Sequence, residues 1–284
     1  MKDKIKKLIT GGEWSVAYRK RNESTYMTAT VPDGQWCADP FEYEVDGEHY
    51  IFVEQYVSKD DKGGIGYFKY KDGIPVNKGI VINNSFHMSY PCIFEYKGKH
   101  YMIPESSANN TIDLYLAESF PTKWVKTKTL INGEKYVDST VFFAGKDIYL
   151  ISYTMSHLYE VVVFSLDMEK LILKKVSSKK YQTNIGRPAG RLFYENNHLF
   201  RPAQDCSRKY GEQIIIYEVD SINSDGILIE HEVKRISSND VLVENNPQRI
   251  HHLTGDSEYE VIDVYKEKLD LLHVPRILIR SRRR

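Results

Sequence analysis

Acidic side chains recur at equivalent positions of a repeated pattern, and residues of this type can perform acid–base chemistry. Asp39 and Asp138 each begin one copy, and Glu105 stands fifteen residues after the start of another. Two carboxyl groups that face one pocket suit work on a glycosidic bond: one activates water or an acceptor hydroxyl, and the other, with a raised pKa, protonates the leaving oxygen. We therefore predict that Asp39, Glu105 and Asp138 are catalytic.

The repeat has two fixed offsets. Asp39 is followed eleven residues later by Tyr50, and four residues after that by Glu54. The same offsets recur in copies that start at Tyr90, Asp138, Ala189 and, less clearly, Gln248. Each copy contains alternating apolar segments such as EHYIFVEQY and DIYLISYT, separated by Gly and Asn turns, which is typical of β-hairpins. The copies start about 50 residues apart, the period expected of propeller blades.

These features predict an all-β protein, a five-bladed β-propeller with blades of about four antiparallel strands. Helical periodicity is nearly absent, and residues 1–284 are expected to form one domain without a linker. A leftover strand around Trp14–Tyr18 could pair with the last blade and close the ring, which would remove the sheet edges. A β-sandwich with fortuitous hairpin similarity is the alternative.

In a propeller, equivalent positions of successive blades converge on one axial channel, so polar residues there are candidate ligand contacts. Arginine forks, dense between residues 186 and 219, recognise carboxylates and phosphates. Aromatic side chains could stack on sugar rings. The predicted substrate-binding residues are Trp36, Glu54, Tyr90, Arg187, Arg191, Arg201, Gln204, Asp205, Arg208, His251 and His252. The alternative is structural: the arginines would form salt bridges with Glu54, Glu105 and Asp138.

Composition narrows the function classes. Lys+Arg and Asp+Glu are both 39, and this neutral balance argues against a dedicated nucleic-acid binder. Neither a membrane-spanning run nor a secretory signal is apparent, so we expect a cytoplasmic protein without a transmembrane segment. Lys2, Lys4, Lys6 and Lys7, together with the C-terminal RILIRSRRR, could contact anionic lipid. Cys37, Cys92 and Cys206 are expected to be reduced thiols.

No cofactor is evident from the sequence. The cysteines and histidines lack zinc-site spacing, and no loop has calcium-binding spacing. We therefore predict no metal ligands, although the carboxylates leave a divalent cation in the channel open.

Four segments carry a resemblance to a known family: WCADPF, HMSYPCIFEYKGKHYMIPES, VDSTVFF and RPAGRLF…LFRPAQDCSRKYG. Together they resemble the N-terminal domain of plant glucosamine inositolphosphorylceramide transferase and its standalone bacterial relatives. That domain is similar to the five-bladed propeller of glycoside hydrolase family 43. The resemblance covers Trp36 to Tyr217, with a weaker tail from His251 to Asp263. It implies a role in surface-polysaccharide or glycoconjugate metabolism, although sugar transfer in the plant protein is attributed to a separate C-terminal domain.

The resemblance also suggests roles for individual residues. Asp39, in ADPF, matches the family 43 base. Tyr90 stands where that family has an Asp that tunes pKa, and Asp138 begins the third blade, which offers no obvious Glu. Glu105 is then the best candidate acid, although it comes from a different strand position. These departures from the hydrolase pattern leave transfer and phosphorolysis open beside hydrolysis.

Three functions remain as hypotheses. The first is an enzyme that acts on glycosidic or sugar-phosphate bonds, with a carbohydrate, nucleotide sugar or lipid-linked glycan as substrate. The second is a non-catalytic glycan-binding propeller that serves a partner glycosyltransferase. The third, a protein-interaction scaffold, would place its important residues on the outer blade faces, and the inward-facing charged positions argue against it.

Overall fold

The chain folds as the five-bladed β-propeller that the repeat predicts. The computed structural model describes residues 10–222, 227–244 and 246–269. Within these ranges the regular structure consists of twenty-two strands in five sheets and one 3-10 turn at Ser107–Asn109, without an α-helix. The basic residues 2–7 and 276–284, predicted to contact lipid, lie outside the described residues.

Blades 1 to 3 each contain four antiparallel strands in sequence order. Blade 1 consists of β3 (Gln35–Val45), β4 (Glu48–Val57), β5 (Lys62–Lys71) and β6 (Ile74–Ile82). Blade 2 consists of β7 (Ser89–Tyr96), β8 (Lys99–Ser106), β9 (Thr111–Ser119) and β10 (Lys123–Asn132). Blade 3 consists of β11 (Tyr136–Ala144), β12 (Asp147–Thr154), β13 (Glu160–Asp167) and β14 (Ile172–Lys180).

Blade 4 has a broken innermost strand, and blade 5 combines segments from both ends of the described chain. Blade 4 consists of β15 (Arg187–Pro188), β16 (Phe193–Glu195), β17 (His198–Asp205), β18 (Gln213–Ile222) and β19 (Leu228–Ser237). Blade 5 has the order β20 (Leu242–Val243), β2 (Thr25–Thr28), β1 (Thr10–Lys20), β22 (Tyr259–Leu269) and β21 (Leu253–Gly255).

The strand left over by the repeat, around Trp14–Tyr18, lies in β1. This strand pairs antiparallel with β22 along its whole length, from Thr10 opposite Leu269 to Lys20 opposite Tyr259. On its other side β1 pairs with β2, which in turn pairs in parallel with β20. Blade 5 therefore joins the beginning and the end of the propeller through main-chain hydrogen bonds.

Two-residue turns connect the two inner strands of each of the first four blades. Asp46 and Gly47 join β3 to β4 with φ values of 53° and 76°. Positive φ at both central residues is the signature of a type I′ turn, which matches the twist of the flanking strands. Asn196 and Asn197 form the corresponding turn in blade 4, with φ values of 49° and 66°.

The hydrophobic core lies between successive blades. Phe52 of blade 1, Ile103 of blade 2 and Leu150 of blade 3 are fully buried in one cluster. Smaller clusters join blades 3 and 4, blades 4 and 5, and blades 5 and 1. Each fully buried side chain of this size contributes about 1.5–3 kcal/mol relative to its exposed state. This packing holds the inner strands in fixed positions around the channel.

Candidate functional site

Bulges in the inner strands place the first residue of each of the first three repeats at the channel. The pairing of β3 with β4 skips two residues between Ala38 and Phe41, and the inner pairs of blades 2 and 3 do the same. Asp39, Tyr90 and Asp138 occupy these bulges with φ values of 50°, 46° and 53°. Because a bulge locally twists its strand and re-aims the side chain, these three residues depart from the regular alternation of their strands.

Carboxylates connect the bulges of neighbouring blades. Asp263 Oδ2 accepts the backbone N–H of Asp39 at 3.0 Å. Asp39 Oδ2 accepts that of Tyr90 at 3.2 Å. Glu105 Oε2 accepts that of Asp138 at 3.3 Å. These bonds fix the orientation of each carboxylate. We use the term channel cluster for the inward-facing group Asp39, Glu54, Glu105, Asp138, Arg187, Gln204, His251, His252 and Asp263.

Asp138 accepts hydrogen bonds from two side chains of blade 4, the Arg187 guanidinium and the Gln204 amide. Arg187 binds it in a fork: Nε contacts Oδ2, and Nη2 donates to Oδ1 at 3.2 Å. Gln204 Nε2 donates to the same Oδ2 at 3.0 Å. Arg187 Nη2 is also 3.8 Å from Glu105 Oε2. The fork therefore holds Asp138 rigidly and places a fixed positive charge beside Glu105.

Glu105 has the environment of a carboxylic acid that keeps its proton at neutral pH. Burial, followed by the negative charge of Asp138, raises the pKa of Glu105 to about 8, and Arg187 and Ser107 offset this only in part. Ser107 donates to Glu105 Oε1 at 2.7 Å, and the side chain stays partly exposed. Glu105 therefore combines a raised pKa with a side chain that is not fully buried.

Asp39 has the opposite environment. Burial alone would raise its pKa, but His252, His251 and Arg187 lower it below the usual value of 3.8. His251 Nε2 and His252 Nδ1 lie 3.7 and 3.6 Å from Asp39 Oδ1, and both stabilise the ionised carboxylate. Asp39 is therefore an ionised carboxylate in the cluster that also contains protonated Glu105.

The histidines depend on Asp263. Its Oδ1 accepts the backbone N–H groups of His251 and His252 at 3.1 and 3.0 Å. Burial opposes protonation of His251, but Asp263 Oδ2, 2.7 Å from Nδ1, and Asp39 raise its pKa. Both ring nitrogens of His252 are buried and have no hydrogen-bond partner. The fifth blade thus contributes a charged pair and one imidazole that faces the channel.

Asp39, His251 and Asp263 place one ligand atom each within 4.8 Å of one another, which is close enough to hold a cation. However, Asp263 already accepts three backbone N–H groups with its two oxygens. This bonding supports a positioning role for Asp263.

Glu54 and an unpredicted histidine form another part of the cluster. Burial, followed by the charges of Asp39 and Glu105, holds the pKa of Glu54 well above its usual range. His87 Nδ1 accepts the N–H of Gly63 at 2.9 Å, so Nε2 carries the proton, and it lies 3.3 Å from Glu54 Oε1. His87 stands in the segment before blade 2, outside the repeat, where the offsets could not identify it.

Several aromatic side chains lie near His87 and the channel cluster. Trp36 and Tyr56 stack with ring centroids 4.6 Å apart. Tyr210, which is 45% exposed, donates or accepts a hydrogen bond with His251 Nε2 at 3.1 Å and has the Arg187 guanidinium 5.2 Å from its ring centroid. Trp14 stacks on His251 at 3.9 Å. Sequence reasoning selected Trp36 but missed Tyr210 and Trp14, which lie in a loop and in the leftover strand.

The structure does not bring four of the predicted binding residues into the cluster. Arg201 is fully buried and donates to Glu230, Tyr181 and Gly186, all outside the cluster. The other three have partners elsewhere. Arg191 donates to Ile93 O, and exposed Arg208 pairs with Glu212. Asp205 accepts hydrogen bonds from Ser207, Gln213 and Arg235. A buried cation is stable only with a partner, and the offsets do not reveal these partners.

Tyr90 lies in the channel but is completely buried. Its hydroxyl is 2.7 Å from Thr140 Oγ1 and accepts the N–H of Gly190 at 2.9 Å. Its ring packs at right angles near Phe41 and His252. These contacts link blades 2, 3 and 4, so the ring has no free face for a sugar.

The fifth copy of the repeat starts later than the offsets suggest. Leu253 pairs with Ile262, and Asp263 donates its N–H to His252 O, so His252 lies opposite Asp263. Gln248 instead donates to Tyr265 O.

The three cysteines are free thiols, two buried and one half-buried. Within the described ranges, no helix is long and apolar enough to cross a membrane.

Comparison with solved structures shows the class of fold. An α-L-arabinofuranosidase from Podospora anserina in complex with cellotriose aligns with a TM-score of 0.60 at 11% identity, over 89% of this chain and 97% of the other. An exo-β-1,3-galactanase from Clostridium thermocellum aligns with a TM-score of 0.59 at 11% identity, over 86% and 57%. The protein therefore has the five-bladed propeller fold seen in these glycoside hydrolases.

Sequence comparison shows the family. The model described as "Glucosamine inositolphosphorylceramide transferase 1, N-terminal" matches residues 10–260, and the chain belongs to this family. Glucosamine inositolphosphorylceramide transferase 1 from Oryza sativa subsp. indica is 28% identical over 222 residues, which cover 75% of this chain and 30% of the relative. The Arabidopsis thaliana protein of that name is 27% identical over 225 residues, 75% and 29% respectively. The matched region spans about three tenths of these curated relatives.

Proposed function

We propose that the channel cluster acts on a glycosidic or sugar-phosphate bond, with Asp39 as general base and Glu105 as general acid. The observation that carries this proposal is the opposite surroundings of the two carboxyl groups within one cluster. Asp39 lies 3.6–3.7 Å from two histidine rings, and its pKa is lowered. Glu105 lies beside the acidic Asp138, and burial and this charge raise its pKa to about 8. A pair of carboxyl groups with separated pKa values is the arrangement that glycoside chemistry needs. Asp138, held by Arg187 and Gln204, is a positioning residue.

The proton balance of this reaction is simple. Asp39 takes a proton from water or from an acceptor hydroxyl. At the same time, the oxygen of that water or hydroxyl bonds to the anomeric carbon. Glu105 gives its proton to the leaving oxygen as the old bond breaks. Exchange with solvent then restores ionised Asp39 and protonated Glu105. The same two groups serve hydrolysis and transfer, and the acceptor that reaches Asp39 decides between them.

The proposed substrate is a carbohydrate, nucleotide sugar or lipid-linked glycan of cell-surface polysaccharide or glycoconjugate metabolism. The family relationship supports this class, and the exposed face of Tyr210 offers a stacking surface for a sugar ring. We further propose the cytoplasm as the compartment, since all three thiols are free.

A non-catalytic glycan-binding propeller is the second candidate. One observation favours it: Asp39, Glu105 and Asp263 all accept backbone N–H groups from neighbouring blades or strands, so they also stabilise the channel. Such a module would serve a partner glycosyltransferase. It predicts saturable sugar binding without turnover.

The test combines binding with product analysis. Thermal shift with a panel of nucleotide sugars, sugar phosphates and glycosides identifies a ligand, because a ligand at 100 times its Kd adds about 2.7 kcal/mol to stability. Product formation is then compared between wild type, Asp39→Asn, Glu105→Gln and the exposed control Glu118→Gln. We expect both cluster variants to lose about 10²–10⁴-fold in turnover and the control to be unchanged. Full turnover in both cluster variants would refute the enzyme proposal, and binding without any turnover would support the second candidate.

A further inference from the structure

A separate group of metal-ligating side chains lies where blade 1 meets blade 5. Glu42 of β3, His49 of β4 and Asp256, which follows β21, each place one ligand atom within 4.8 Å of the other two. His49 Nδ1 is 3.1 Å from Glu42 Oε1 and 2.9 Å from Asp256 Oδ2. Glu42 lies on β3, as does Asp39, but none of the three side chains belongs to the channel cluster.

Two buried polar atoms beside this group have no partner. Glu42 is 1% exposed, and its Oε2 accepts no hydrogen bond. Tyr70 is 9% exposed, and its hydroxyl also has no hydrogen-bond partner. The Tyr70 ring lies 5.9 Å from that of His49, and both residues line one cavity of about 620 Å³. A buried oxygen without a partner costs about 1–3 kcal/mol, and a cation held by the three side chains would satisfy Glu42 Oε2.

The surroundings of the three side chains match those of metal ligands. Asp256 Oδ1 accepts the N–H groups of Glu258 and Tyr259, each at 2.7 Å, which fixes the carboxylate and leaves Oδ2 directed at His49. The other ring nitrogen of His49, Nε2, lies 3.4 Å from Glu258 Oε2. A metal-bound histidine usually donates its second N–H to a carboxylate in this way, which fixes its tautomer and orientation.

We propose that Glu42, His49 and Asp256 bind one divalent ion of the Zn²⁺ class. One imidazole nitrogen and two carboxylates suit zinc, with water as a fourth ligand, whereas calcium requires six to eight oxygen ligands. The ion joins two strands of blade 1 to the segment between β21 and β22 of blade 5. The ion therefore links blade 1 to blade 5, where the propeller ring closes. Its role is separate from the chemistry of the channel cluster.

The test uses zinc alone as the probe. Protein treated with a chelator is titrated with ZnCl₂ at pH 7.5 by calorimetry, and bound metal is counted by elemental analysis. The variants are Glu42→Gln and Asp256→Asn, which keep the side-chain shape. Asp39→Asn removes a ligand atom from the channel cluster, and Glu48→Gln removes an exposed carboxylate next to the same cavity.

We expect one zinc ion per chain, an affinity reduced at least tenfold in Glu42→Gln and Asp256→Asn, and no change in Glu48→Gln or Asp39→Asn. Zinc should also raise the Tm of wild type but not of Glu42→Gln. Three results would overturn the proposal: zinc binding lost in Asp39→Asn instead, equal binding in all variants, or no stoichiometric binding of zinc. A folded Glu42→Gln protein, checked by circular dichroism, makes each result interpretable.

Discussion

At the residue scale, the central feature is the buried ion pair between Arg187 and Asp138. It holds Asp138 in place and sets a positive charge beside Glu105. The sequence predicted that Asp138, Glu105 and Arg187 would be close, because equivalent repeat positions converge on the channel. It could not predict that Arg201 would face Glu230 instead, since the partner of a long side chain depends on strand register and not on the offsets.

Removing only one member of the Arg187–Asp138 pair should be strongly destabilising. Arg187→Met leaves a buried carboxylate without its cation, which costs about 3–5 kcal/mol. The double variant Arg187→Met with Asp138→Asn removes the stranded charge and should recover at least half of that loss. Urea unfolding at pH 7 measures both values. A loss below about 1 kcal/mol in Arg187→Met would show that solvent screens this pair.

Tyr90 gives a second prediction at this scale. Tyr90→Phe removes the hydroxyl that contacts Thr140 and Gly190, so it should lower the free energy of unfolding by about 1–3 kcal/mol. Binding of the ligand found in the thermal-shift panel should change less than twofold, because the ring has no exposed face. A large loss of binding at unchanged stability would instead assign Tyr90 to the binding surface.

At the element scale, the bulges in the inner strands place Asp39, Tyr90 and Asp138 at equivalent positions of blades 1, 2 and 3. The offsets of eleven and four residues predicted the paired inner strands, because hairpins of equal length repeat those offsets. They did not predict the bulges, which depend on positive φ at Asp39, Tyr90 and Asp138. A tyrosine with φ of 46° is uncommon, and no compositional rule indicates it.

Gly190 shows how closely blades 4 and 5 approach each other. Its φ is 131°, and a Cβ atom there would lie 2.0 Å from the backbone oxygen of Leu253. Because backbone cannot move as a side chain can, Gly190→Ala should destabilise the protein by more than about 2 kcal/mol. Gly98→Ala is the matched control: its φ is 70° with open space around it, so we expect a loss of about 1 kcal/mol. Equal losses in thermal unfolding would contradict the close contact.

At the scale of the whole molecule, burial of ionisable groups in the channel makes the free energy of unfolding depend on pH. The fold class followed from the sequence because five blades repeat one pattern. The positions of Tyr210 and His87 could not be predicted in this way, because both residues lie in loops that the repeat does not include.

The raised pKa of Glu105 predicts the direction of the pH dependence. The folded protein binds this proton more tightly than the unfolded chain, whose glutamate titrates near 4.5. Stability should therefore fall as pH rises from about 4.5 to 8, by at most roughly 1.4 kcal/mol per pH unit from this group. Glu105→Gln cannot ionise and should show a shallower fall of Tm between pH 5 and 8 than wild type or Glu118→Gln. The same slope in all three proteins would exclude Glu105 as the cause.

Carboxyl titration by NMR with ¹³C-labelled Asp and Glu, in wild type, Asp39→Asn and Glu105→Gln, measures the protonation of both carboxyl groups directly. It needs no substrate and addresses the opposite protonation of the two groups. We predict a glutamate signal with a midpoint of about 8 that is absent from Glu105→Gln, and an aspartate signal with a midpoint below 3.8 that is absent from Asp39→Asn. If the signal lost in Glu105→Gln titrates near 4.5, Glu105 is ionised at neutral pH and cannot be the general acid.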